Sequence, residues 1–139
     1  MPTVMYGGEC WGLKDEDRSK LNVMEMNCLR NMCGVSRREH VTNEEVRRRV
    51  GLDRTLADRA DEKVLSWFGH VERMSGERLT KRVYKSSVEG SRRRGAPPKG
   101  WMSCVKGVLE KKRGMTIANA KILCQTRSEW RATVYGGGI

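Results

Sequence analysis

The chain has 139 residues, a length that suits one domain of ordinary size or a helical piece of a larger protein. Hydrophobic residues are 37% and charged residues 32%, with a mean hydropathy of −0.67, so a thin core lies inside a heavily charged surface. No apolar run approaches the ~20 residues that span a bilayer, and no basic stretch followed by an apolar core opens the chain. These features exclude a membrane-spanning protein and lead to the expectation of an intracellular one, in the nucleus or the cytoplasm, with reduced cysteines.

Helical punctuation dominates the sequence in chain order. Residues 1–13 are expected to be loosely held, with Val4-Met5-Tyr6 the one weak strand signal. Leu21, Met24, Cys28, Met32 and Val35 follow helical spacing, and Gly34 stands where a C-terminal glycine cap belongs. Thr42-Asn43-Glu44-Glu45 fits a capping box opening a short helix that ends near Gly51. Leu56, Ala60, Val64, Trp67, Phe68 and Val71 form one stripe of a longer helix. Residues 86–100, rich in Gly, Ser, Pro and Arg, read as a basic loop. Beyond it, Trp101, Val105, Val108 and Leu109 mark another helix ending before Gly114, and residues 117–124 a short one. A second box, Thr126-Arg127-Ser128-Glu129, introduces a final helix carrying Trp130 and Val134, before a loosely held tail at 135–139. The expected fold class is all-α, a single irregular array of about five to six short helices.

The net charge of +11 is unevenly placed: residues 1–70 balance 12 basic against 12 acidic side chains, and residues 71–139 carry the whole excess. Between Arg78 and Arg113 only Glu89 and Glu110 oppose 12 basic residues. Such asymmetry is the electrostatic footprint of a polyanion-binding surface. An anionic membrane fits less well, because the basic stretch lacks a bulky apolar face. The candidate phosphate contacts are Arg92, Arg93 and Arg94, whose guanidinium groups can fan around a backbone, and Lys99, beside the start of the following helix. Lys81, Arg82 and Lys85, at i, i+1 and i+4, add a second basic ridge. Arg47-Arg48-Arg49 is the weaker candidate because Glu44 and Glu45 lie within one turn.

Other chemistries find little support. The five cysteines include no Cys-x2-Cys pair, and Cys28 falls on an apolar stripe, so core cysteines are expected in place of a zinc site. Neither His40 nor His70 sits near a turn that would expose a nucleophile, and phosphate-cradling glycine motifs are absent from the sequence. Asp15/Asp17 and Asp58/Asp61 stand among basic neighbours and are expected to form helix-surface ion pairs. Trp67, Trp101 and Trp130 lie on apolar stripes and are expected to be buried, and His70 is expected to pack inside its helix. No catalytic residue, metal or cofactor is expected.

Five segments together resemble a known family. Tyr6-Gly7-Gly8-Glu9-Cys10-Trp11, residues Cys28 to Val35, Val41 to Val46, Trp67-Phe68-Gly69-His70-Val71-Glu72-Arg73-Met74, and the Arg-rich Gly95-Ala96-Pro97-Pro98-Lys99-Gly100-Trp101 block are similar, in this order, to segments of non-LTR (LINE-type) retrotransposon reverse transcriptases. In that family they follow the fingers, palm and thumb. The resemblance implies a C-terminal, post-thumb region, truncated and without the catalytic core, since the Tyr-x-Asp-Asp polymerase motif is not in the sequence. It further implies a non-catalytic part that helps hold RNA or target DNA and packs near its parent polymerase core. Ala96 and Gly100 stand where the family commonly carries arginine. The competing expectation is a helical interaction or packing fragment without independent activity.

Overall fold

Helix-start and helix-stop residues account for most of the boundaries in the computed structural model, which describes residues 3–87, 95 and 100–136. The protein is all-α. Seven α-helices are present among the described residues: α1 (Asp15–Met32), α2 (Asn43–Val50), α3 (Leu56–Arg73), α4 (Leu79–Lys85), α5 (Trp101–Arg113), α6 (Ile117–Leu123) and α7 (Arg127–Tyr135). Three short 3-10 turns, Thr3–Met5, Gly8–Cys10 and Arg37–Glu39, accompany them. The segment Val4-Met5-Tyr6 therefore belongs to a 3-10 turn and not to a strand.

Capping chemistry explains where helices begin and end. Gly34 (φ 64) and Gly51 (φ 70) take the left-handed conformation after α1 and α2. The amides of Val35 and Leu52 then return to the carbonyls of Arg30 and Arg47, satisfying groups the helix leaves open. At α2 the Thr42 hydroxyl accepts from the Glu45 amide, while the Glu45 carboxylate turns to Arg48 and Arg49. Thr126 stands at the start of α7 without a side-chain capping bond. A reciprocal box opens α3, where Thr55 Oγ1 accepts from the Asp58 amide at 3.0 Å and Asp58 accepts from the Thr55 amide at 3.0 Å.

The chain divides into two compact units, Leu13–Asp61 and a larger one made of Met1–Gly12 with Glu62–Ile139. In the smaller unit, Met26 and Leu29 of α1 meet Val46 of α2, flanked by Cys33, Val41, Val50 and Leu52. The α1 face is thus turned from the expected stripe: Met32 is 73% exposed while Glu25 is buried, because Arg47 reaches it at 2.7 Å. Asp61 is buried in a two-pronged pair with Arg18 at 2.6 and 2.8 Å, across 43 residues and not along a helix surface. Asp58, as noted, belongs to the α3 cap.

In the larger unit the core gathers Val64, Leu65 and Phe68 of α3, Val105, Val108 and Leu109 of α5, and Ala120, Cys124, Trp130 and Val134. Gly69 lets α7 close on α3: the indole of Trp130 lies against it, and Trp130 Nε1 donates to the Leu65 carbonyl at 3.0 Å. Residues 5 and 9 of the N-terminal segment hydrogen-bond to this unit. Met5 is buried, Lys63 Nζ donates to the Met5 carbonyl at 2.8 Å, and Trp101 Nε1 donates to the Glu9 carbonyl at 2.9 Å.

Candidate nucleic-acid interface

Of the residues expected to contact phosphate, Arg92, Arg93, Arg94 and Lys99 lie outside the described residues, as do Pro97 and Pro98. Arg82 and Lys85 are exposed on α4, and Arg78 just before it extends their row at i, i+4 and i+7. Lys81 points the other way. Only 5% exposed, its ammonium donates to the carbonyls of Val71 (2.9 Å) and Glu72 (3.0 Å) and to Glu72 Oε2 (3.0 Å). Those carbonyls belong to the last turn of α3, where the helix's own donors run out and a partial negative charge collects; the Val71 carbonyl also accepts from the Met74 amide at 3.2 Å. Lys81 therefore caps the C-terminal end of α3 and does not stand with the exposed cations of α4.

Two other cations of the basic half have the same role. Arg73 donates to the Cys124 carbonyl at the end of α6 (2.7 Å), and Arg113 to the Val134 carbonyl near the end of α7 (2.6 Å). Part of the excess charge thus closes helix ends inside the unit and does not face solvent.

Around Lys81 the Glu72 carboxylate also accepts from the Tyr84 hydroxyl and lies 3.9 Å from Lys121. Burial pushes the Glu72 carboxyl up, but the hydrogen bonds from Tyr84 and Lys81 and the charges of Lys81 and Lys121 outweigh it and hold it below its usual value. Burial, with the accepted proton of Tyr84 engaged by Glu72, raises the Tyr84 hydroxyl. A carboxyl depressed in the folded state adds stability that is present above its unfolded value and lost as pH falls through the folded one. The melting temperature is accordingly expected to drop in acid more steeply for the wild type than for Glu72→Gln, as thermal melts across the acid range would record.

A groove of about 760 Å³ runs between one face of α3 and one face of α7. From α3 come Lys63, Ser66, Trp67, His70 and Arg73; from α7 come Arg127, Arg131 and Tyr135, with Trp130 and Val134 behind them as buried walls. Among the described residues, Glu9 is the one acidic side chain lining it. Trp67 is half-buried and outside the core cluster, and His70 is exposed; their rings sit 5.2 Å apart, tilted by 31°. Both depart from the expectation of helix-interior packing, whereas Trp130 is buried as expected and Trp101 is half-buried against the core. The signal for this face is present in the sequence: residues 63, 66, 67, 70 and 73 recur at helical spacing, as do 127, 131 and 135.

In the smaller unit, Arg48 and Arg49 are occupied by Glu45, whose carboxyl their hydrogen bonds hold down at about 2. The five cysteines are free thiols. Cys104 and Cys124 are buried, burial pushing the Cys124 thiol up to about 12, while Cys10 is exposed and Cys28 and Cys33 are half-buried. Among the described residues no group of three or more His, Cys, Asp or Glu side chains could hold a metal ion, and no helix is long and apolar enough to cross a membrane. Compared with protein-family models, curated proteins and solved structures, the chain matches none of them.

Proposed function

We propose that the chain is a non-catalytic nucleic-acid-binding region of the post-thumb type found in LINE-type reverse transcriptases, holding RNA or DNA by its phosphate backbone. The observation that carries this reading is the outward-facing charge of the larger unit. Arg82 and Lys85 on α4 and Arg78 just before it form an exposed row, Arg127 and Arg131 are exposed on α7, and the sequence joining α4 to α5 supplies Arg92, Arg93, Arg94 and Lys99. Guanidinium groups match phosphate oxygens in pairs, and releasing condensed counterions from the nucleic acid drives such binding. The ordered set of five sequence segments supports the reverse-transcriptase origin.

If about five phosphates are contacted, log affinity should fall against log salt with a slope near −3.5 for single strands or −4.5 for duplex. Replacing Arg92, Arg93 and Arg94 by alanine should flatten that slope by about 2 for single strands and about 2.7 for duplex, since each lost phosphate contact removes about 0.7 or 0.9. A salt titration by fluorescence anisotropy reads both numbers. Binding that is undetectable at low ionic strength, or insensitive to salt, would sink the proposal.

A second reading, the helical packing fragment, draws on a different observation. Leu79 and Val83, at i and i+4 on α4, are 72% and 63% exposed. Two large apolar side chains in register on an exposed helix suit a face that packs on another protein. Under this reading the polymerase core, added in trans, raises the melting temperature, and the salt titration finds no nucleic-acid binding.

A further inference from the structure

We propose that the groove between α3 and α7 is a stacking site for an unpaired base of single-stranded nucleic acid, with Trp67 as the platform and Arg127 and Arg131 as its phosphate contacts. The inference rests on the nucleic-acid reading above and names what one part of the surface takes.

Three features of the groove select this ligand. Its aromatic lining is only partly buried: Trp67 is half-buried in the groove with the His70 ring beside it, while the neighbouring Phe68 and Trp130 fill the interior. A base offers a flat π-face that an indole can stack on whatever its sequence. Charge is arranged to match a backbone passing the base. Arg127 and Arg131 stand one helical turn apart on the same side of α7, both exposed, and Lys63 and Arg73 add positive potential while their head groups are anchored on carbonyls. A volume of about 760 Å³ lies within the ~300–1,000 Å³ of sites that enclose small organic groups. A base inside a duplex keeps both faces covered by its neighbours, so the groove favours single strands.

The test uses the full chain and fluorescently labelled homopolymer oligonucleotides: a single strand, the same strand with abasic sites, and the corresponding duplex, all at one salt concentration. Trp67→Leu is expected to weaken binding of the single strand about tenfold and to leave duplex binding within about twofold. On the abasic strand the same substitution should change little, because the stacking partner is gone. Arg127→Ala with Arg131→Ala, both at exposed positions, should flatten the single-strand salt slope by about 1.4, which keeps the proposal testable if Trp67→Leu fails to fold. Equal loss on intact and abasic strands, or no loss on either, overturns the stacking site. If the Arg92, Arg93, Arg94 variant still loses affinity in that case, the broader nucleic-acid reading survives. Competition by polyglutamate as effective as competition by the oligonucleotide would assign the groove to an acidic protein segment and overturn the inference as well.

Discussion

Gly69→Ala is expected to destabilise the protein by about 3 kcal/mol or more, although it adds one methyl group to a helix where alanine has the higher helical propensity. A Cβ at this position would fall closer than 3.0 Å to the Nε1 and Cδ1 atoms of Trp130. The indole cannot step aside cheaply, because it is 3% exposed, packs against Phe68 with ring centroids 5.9 Å apart, and donates to the Leu65 carbonyl. Overpacking a filled core costs about 1–3 kcal/mol, and pushing the indole off the Leu65 carbonyl leaves its buried N–H unsatisfied, at about 1–3 kcal/mol more. Gly107 provides the control. It too sits inside a helix, α5, but nothing lies within 4 Å of a Cβ built there. Gly107→Ala is expected to gain about 0.5–1 kcal/mol from propensity alone. Thermal or urea melts of the two variants should move in opposite directions, and a Gly69→Ala protein as stable as the wild type would refute the close-approach role.

How much of this was legible in the sequence differs from element to element. The α3 stripe is legible because Leu56, Ala60, Val64, Phe68 and Val71 are apolar, helically spaced and all buried. Trp67 is misread with them: it stands on the side of α3 that carries Lys63, Ser66 and His70, and that polar company marks a face away from the buried stripe. The face of α1 is not legible, since a buried Glu25 looks like a surface residue until Arg47 from another helix is beside it. The helix α4 is hidden for a related reason: it is short, and its two large aliphatic residues, Leu79 and Val83, are exposed. The proposed binding site is only half legible. Charge asymmetry points to the basic half of the chain, but the sequence cannot separate cations that face solvent from those that close helix ends. That distinction depends on which carbonyl arrives nearby, and for Lys81, Arg113 and Arg73 the acceptors lie 10, 21 and 51 residues away.

Lys81 is the residue on which that distinction has the largest measurable consequence. Lys81→Met keeps the aliphatic stem and removes the ammonium. The Glu72 carbonyl at the end of α3 and Glu72 Oε2 then lose the ammonium, while the Val71 carbonyl loses it but keeps the Met74 amide. The Glu72 side chain is 10% exposed and the Lys81 side chain 6%, so the carboxylate would stay shielded from water with the Tyr84 hydroxyl and a distant Lys121 as its remaining partners. Removing one member of a buried pair costs about 3–5 kcal/mol, because the other charge is left uncompensated. Against the ~5–15 kcal/mol that holds a typical domain together, that is a large share. A Lys81→Met, Glu72→Gln double substitution should recover part of the loss, since it removes the stranded charge and lets the two residues couple as contacting pairs do. The salt slope of nucleic-acid binding, measured where the variant is still folded, should equal that of the wild type. Arg82→Ala with Lys85→Ala should do the reverse, leaving the melting temperature within about 0.5 kcal/mol equivalent and flattening the slope. If Lys81→Met instead melted like the wild type and lost about 0.7–0.9 of slope, the ammonium would be facing phosphate and not closing α3.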